Sequence, residues 1–146
     1  MNRIRLAREN DLWRIAEIEV FNYRLNFYPI FQSDEYYFDE LQVMKRVDQL
    51  REATGSLWVY DDGVIKAFMQ TDDHEIRKLF VEPVLQGRGI GAELIDYAIN
   101  RLGARWLWAL EKNEKAIAFY KRHGFVMTDE KKLEEDTSEY LVRLKR

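Results

Sequence analysis

The sequence predicts a mixed α/β domain in which antiparallel hairpins flank one central strand–helix–strand unit. Three observations carry that expectation. Apolar spacing is helical from Leu12 toward Tyr23 and over 36–52 but strand-like over 57–60, 64–70 and 75–81; a glycine-rich turn at 86–91 joins a strand pattern to a helical one; and the closing SEYLVRLKR alternates again. With 47% hydrophobic and 14% aromatic residues in 146 positions, the chain can build one sizeable core and does not read as disordered. No repeat and no Gly/Ser/Pro linker interrupts it, so residues 1–146 are expected to form one domain.

The elements follow in order. Residues 3–7 alternate, with Ile4 and Leu6 expected on one face of a short edge strand. Asn10 and Asp11 offer an N-cap before Leu12, Ile15, Ala16 and Ile18, whose spacing marks a helix continuing toward Tyr23. Pro29, in the aromatic stretch NFYPIFQSD, is expected to turn that segment into a loop. Tyr37, Leu41, Met44, Val47 and Leu50 predict a second helix over 36–52. Strands at 57–60 and 64–70 are separated by Asp61, Asp62 and Gly63, a hairpin signal, and 75–81 is a third strand. A helix from Ile90 to Leu102 ends at Gly103; then come a strand at 105–110, a helix at 114–122 stopped by Gly124, and a strand at 125–129. The tail returns beside that last strand, with the charged run Lys131–Asp136 as the connection.

Composition removes whole classes of chemistry. The absence of cysteine excludes disulfides, thiolate nucleophiles and thiolate-held metals, and the isolated His74 and His123 make no histidine metal site, so no metal is expected. Charges interrupt the first apolar residues too often for a signal-peptide core or a membrane span, which makes a cytoplasmic protein without a membrane partner the expectation. A net charge of −3 argues against nucleic acid as the main partner.

The informative segment is LFVEPVLQGRGIGAELI. Glycines at 87, 89 and 91 let the backbone approach a ligand, amide hydrogens from Gln86 through Gly91 can turn inward, and the following helix adds its positive dipole end. Arg88 supplies a cation nearby, so a pyrophosphate is the expected ligand. A P-loop is ruled out because no Lys-Ser or Lys-Thr follows the glycines. The dinucleotide fingerprint is met formally by Gly87, Gly89 and Ala92, with Glu111 about 20 residues on. Against it, five residues separate the strand from the first glycine, and the chain is too hairpin-rich for two doubly wound halves.

Two segments then resemble the GCN5-related N-acetyltransferase (GNAT) family, in its small single-domain bacterial form. Residues 76–91 (IRKLFVEPVLQGRGIG) are similar to the family's strand, proline and Q/R-x-x-G-x-G/A motif; residues 113–125 (NEKAIAFYKRHGF) are similar to its N-x-x-A-x-x-F-Y-x-x-x-G-F segment. The resemblance implies a mostly antiparallel sheet of about six or seven strands, with a splayed central parallel pair and about four flanking helices. It implies acetyl-CoA as donor: Gln86, Gly87, Arg88, Gly89, Ile90 and Gly91 at the pyrophosphate, backbone of Leu79 and Val81 along the pantetheine, Asn113 contacting the pantetheine or ordering its turn, and Tyr120 protonating the departing thiolate. Asn113 reads equally well as a helix N-cap.

Elementary chemistry supports these roles. Amide formation from a thioester needs a neutral amine, a polarised carbonyl and a proton for sulfur; tyrosine is fully protonated at neutral pH, and the Val81 amide is the candidate oxyanion donor. Without cysteine there is no acyl-cysteine intermediate, which favours direct attack in a ternary complex. Glu75 is the candidate general base implied by the family, and His74, adjacent on the strand, points to the opposite face. The acceptor site is expected among the early aromatics, with Tyr23 and Tyr28 as candidate substrate contacts. Whether the acceptor is a small molecule or a peptide amine, and whether the chain forms a homodimer, are left open. The competing readings are a non-catalytic acyl-CoA-binding module and a dinucleotide-binding protein.

Overall fold

Residues 2–146 are described by a computed structural model of the chain. Seven strands form one sheet: β1 (Ile4–Leu6), β2 (Leu57–Asp61), β3 (Ile65–Asp72), β4 (Glu75–Val81), β5 (Trp106–Leu110), β6 (Val126–Leu133) and β7 (Tyr140–Lys145). Their order across the sheet is β1-β2-β3-β4-β5-β7-β6, with every pairing antiparallel except β4 with β5. The helices are α1 (Leu12–Asn26), α2 (Tyr28–Phe31), α3 (Val43–Arg51), α4 (Ile90–Leu102) and α5 (Glu114–Arg122).

Strand alternation sends neighbouring side chains into two separate cores. Ala67 and Met69 of β3 pack with Leu94, Ile95 and Ala98 of α4, whereas Phe68 between them packs with Leu12, Ile15 and Val47 of α1 and α3. A bulge in β4 decides which of its residues go where. Thr71 pairs with Ile76 while Gln70 pairs with Lys78, so Arg77 is an extra residue and the strand's facing is reset around it. Leu79 and Val81 consequently face the α4 side, and Lys78 and Phe80 face α1.

The parallel pair is short. Only Glu75 with Trp106 and Ile76 with Leu107 are in register, while all of β5 stays paired to β7. Beyond Ile76 the two central strands diverge, as a splayed pair should.

Several local expectations are corrected. Pro29 does not make a loop: it stands at the start of the one-turn α2, where its missing N–H costs nothing, and Gln32 ends that turn with φ 55°. This short helix brings the count to five. The second helix does not run over 36–52. Tyr36–Glu40 is a π-helical turn, Leu41 and Gln42 are extended, and α3 starts afresh at Val43. The restart changes the helical phase, so Tyr37, Leu41, Val47 and Leu50 are buried but Met44 is 68% exposed. Leu6 is likewise 46% exposed although Ile4 is buried, because β1 is an edge strand with little covering its end. Asp11 does not cap α1 through its side chain; its carboxylate accepts from the Arg8 amide at 2.8 Å and from Arg5 at 2.7 Å. Lys131–Leu133 belong to β6 rather than to the connection, since their backbone pairs with Tyr140–Val142 while their side chains stay in solvent. Among the described residues, no helix is long and apolar enough to cross a membrane.

Candidate functional site

Where β4 and β5 part, a cavity of about 590 Å³ opens. Its floor is set by β4. Glu82 N–H donates to the Lys66 carbonyl at 2.8 Å, which makes Phe68/Phe80 and Gln70/Lys78 the hydrogen-bonded pairs with β3. The peptide groups of Leu79 and Val81 therefore point the other way, into the gap that β5 has left. An extended ligand arm laid there would meet the Leu79 N–H and C=O and the Val81 N–H much as a neighbouring strand would, while the Val81 C=O is already taken by side-chain donors.

One end of the cavity is the glycine turn. Gly87 and Gly89 have φ of 80° and 87°, and Gly89 is the residue from which α4 begins. The first amides of α4, from Ile90, Gly91 and Ala92, have no partner inside the helix and carry its dipole's positive end. A Cβ on Gly91 would stand 3.3 Å from the Phe119 ring, so α4 and α5 approach closely only because this residue is glycine. Lys115, Arg122 and His123 also border the cavity, and among the described residues no Asp or Glu lines it, although the whole chain carries a net charge of −3. The cavity is locally suited to an anion against the overall charge.

The other end is Tyr120 on α5. Its side chain is buried against Phe125 and Phe119, and burial pushes its pKa well above the ordinary tyrosine value. Its hydroxyl makes no hydrogen bond among the described residues while it lines the cavity, so it is a protonated donor facing open space.

A polar strap crosses between these ends. Asn22 of α1 is 1% exposed and donates to the carbonyls of Ile18 and Val81, both at 2.9 Å. Its oxygen accepts from Gln86 at 3.2 Å and from Asn26 at 3.3 Å, and Gln86 in turn accepts from Lys115 at 3.1 Å. Helix α1, the end of β4, the glycine turn and α5 are thereby joined. Asn22→Leu leaves the Gln86 and Asn26 amides without that acceptor. The expected result is a loss of about 2 kcal/mol in urea unfolding together with weaker coenzyme A binding, whereas a purely surface asparagine would change neither.

A family model for the acetyltransferase (GNAT) domain matches residues 53–127, which run from the end of α3 into β6 and contain both glycine turn and Tyr120. The chain belongs to the GNAT acetyltransferase family. It is 46% identical over 56 residues to an uncharacterised N-acetyltransferase of Methanocaldococcus jannaschii, covering 35% of this chain and 25% of that protein. It is 32% identical over 81 residues to the peptidyl-lysine N-acetyltransferase YjaB of Salmonella typhimurium, covering 56% of each chain. The aligned part thus spans between a quarter and about half the length of these relatives. In overall fold, the chain is similar to the PaiA N-acetyltransferase of Thermoplasma acidophilum, a crystal structure in complex with coenzyme A: TM-score 0.72, 18% identity, all of both chains covered.

In this GNAT domain the structure brings together most of the residues expected from the sequence. Leu79, Val81, Gln86, Gly87, Gly89, Ile90, Gly91, Asn113 and Tyr120 all line the cavity. Asn113 caps α5, accepting from the Ala116 amide at 3.3 Å, and faces the cavity as well, so its two readings coexist. Arg88 is exposed and stands outside the lining.

Glu75 is not brought to the cavity. It opposes Asp72 and Trp106 at the closed end of the parallel pair, and four residues of strand, about 13 Å, separate it from Leu79. Tyr28 is also elsewhere, bonded to Asp34 and packed on Tyr37 and Phe38. Tyr23 does not line the cavity, but its ring meets Phe80, which does, at 5.7 Å. Sequence reasoning missed Asn22 and Lys115. Asn22 sits mid-helix among apolar residues, a position where a buried asparagine needs partners, and that was its only signal.

Proposed function

We propose that the protein is an acetyl-CoA-dependent N-acetyltransferase that passes the acetyl group to a primary amine by direct attack in a ternary complex. The observation that carries the reading is the continuity of one cavity from an anion-suited glycine turn, along open β4 peptide groups, to a protonated tyrosine hydroxyl. The residues fit the donor: an anionic end meets amides and cations without a carboxylate, and an amide-bearing arm meets a strand edge.

Bound acetyl-CoA supplies an activated acyl group with a thiolate as leaving group. The amides of Gln86 through Gly91, with Lys115 and Arg122 at the rim, bind the pyrophosphate and set the depth of entry. Leu79 and Val81 orient the arm, and the Val81 N–H donates toward the carbonyl oxygen as charge builds there. Asn22 and Gln86 both donate to the Val81 carbonyl and so fix the peptide group that follows the donating one, on the other side of the Val81 Cα. Tyr120 delivers its proton to sulfur, and the proton that the attacking nitrogen sheds as the amide forms returns through solvent to the tyrosinate. With Glu75 remote, no carboxylate among the described residues lines the cavity to act as base, and the amine enters neutral, its ammonium proton lost to solvent beforehand. The donor lies on the α4–α5 side and the amine arrives from α1, past Phe80 and Asn26.

Release of free thiol from acetyl-CoA across a panel of primary amines tests this. Turnover on at least one amine, with a stoichiometric N-acetyl product, is the expected outcome. Tight coenzyme A binding without turnover on any amine would favour a non-catalytic binding module, and stabilisation by NAD(P) but not by coenzyme A would replace the reading altogether.

A further inference from the structure

On the α1 side of β4, next to the cavity, lies a charged cluster that the acetyl-transfer chemistry does not use. Glu19 is 0% exposed. Its carboxylate accepts from Arg46 Nε and, at 2.7 Å, from Lys78 Nζ. Arg46 also donates to Gln49 at 2.6 Å and to the Tyr23 hydroxyl at 3.3 Å, and both cations lie over the Tyr23 ring. No other carboxylate is within ion-pair distance of either cation among the described residues. One carboxylate therefore faces two cations, and a half-buried site is left with one positive charge in excess.

That excess is costly. Burial lowers the pKa of Lys78, the direction expected when an ammonium is taken out of water without full compensation. An ammonium has three donors, and Glu19 takes one. The remaining donors have no protein acceptor among the described residues, and the side chain is 22% exposed.

Position indicates which anion. Helix α1 runs beside β4 in step: Glu19 reaches Lys78, and Asn22, one turn later, reaches the Val81 carbonyl. Lys78 and Phe80 share a face of β4, about 7 Å apart along the strand. Phe80 borders the cavity, Tyr23 packs on it edge-on, and Phe27 packs on both. The cluster is thus one strand repeat from the wall past which the amine enters.

Resting on the acetyltransferase reading, we infer that the amine acceptor is an amino acid or a molecule built like one, and that Lys78 is the specificity residue pairing with its carboxylate. Phe80, backed by Phe27 and Tyr23, takes the apolar part between the two ends. A polyamine, with a second cation where Lys78 stands, is disfavoured.

Matched acceptors test the assignment: phenylalanine against phenethylamine, and γ-aminobutyrate against butylamine, with putrescine as the dication. The expected result is a kcat/KM about tenfold or more higher for each amino carboxylate than for its partner lacking the carboxylate. Lys78→Gln removes this preference by raising KM for the amino carboxylates alone, and Lys78→Arg restores much of it; coenzyme A affinity is unchanged in both. Glu19 keeps Arg46 as its partner in either variant. Equal or better turnover of phenethylamine and butylamine overturns the inference while leaving the acetyltransferase reading intact. So does a Lys78→Gln loss shared equally by both classes, which would mark a structural or rate-related role. Coenzyme A binding with no thiol release on any amine removes the acetyltransferase reading itself, and the inference with it.

Discussion

Tyr120→Phe lowers kcat for acetyl transfer by about a hundredfold or more, with coenzyme A affinity and the acceptor KM little changed. The substitution deletes one oxygen that has no protein partner among the described residues, so the packing of α5 against Phe125 and Phe119 survives. What disappears is the proton for the sulfur leaving group. The pH dependence discriminates further. Burial raises the Tyr120 pKa, so the hydroxyl stays protonated through neutral and mildly alkaline pH. The wild-type rate should therefore rise with pH as the amine loses its proton, and show no decline from tyrosine ionisation below about pH 10. The phenylalanine variant should keep that shape at a lower level. An unchanged kcat, or a falling limb near neutrality that Tyr120→Phe abolishes, would show that the hydroxyl is not the proton donor.

Gly89→Ala is expected to weaken coenzyme A binding by about tenfold or more while costing about 1–2 kcal/mol of stability. The reason is conformational: Gly89 has φ 87°, and a Cβ there meets nothing within 4 Å. No neighbour has to move, but the alanine pulls the residue toward negative φ and with it the amides that start α4. Gly55→Ala is the matched control, since Gly55 also has open space, lies away from the cavity and does not have a left-handed φ. Calorimetric titration with coenzyme A reads the difference. Equal affinities in the two variants would mean that the turn's conformation does not shape the anion seat.

These outcomes depend on features of unequal legibility in the sequence. The turn was readable because glycines at alternate positions before a helical pattern have few other physical reasons. Strand 75–81 and helix 114–122 matched their observed ranges because a proline or a glycine closes each one. The region 27–42 was not readable in the same way. Its aromatic residues satisfy a helical spacing, yet the chain forms a one-turn helix, a π turn and an extended break, each held by contacts to α1 such as Arg24 to the Tyr37 and Leu41 carbonyls. Glu75 shows another limit. Its place at the head of β4 was visible, but its separation from the cavity follows from where β5 leaves β4.

The sequence by itself determined the chemistry available: no thiol, a glycine turn able to seat a pyrophosphate, and a tyrosine with a proton to give. Local spacing suffices for these, because backbone conformation and intrinsic acidity belong to a residue and its near neighbours. Only the tertiary structure decided which faces meet. The Arg77 bulge turns Leu79 and Val81 toward one core and Lys78 and Phe80 toward the other. Asn22 and Glu19, dozens of positions away in the chain, acquire their roles by lying alongside β4. Burying a carboxylate and an amide at such a contact is tolerable only when partners from distant segments arrive together, and no local pattern encodes that arrival.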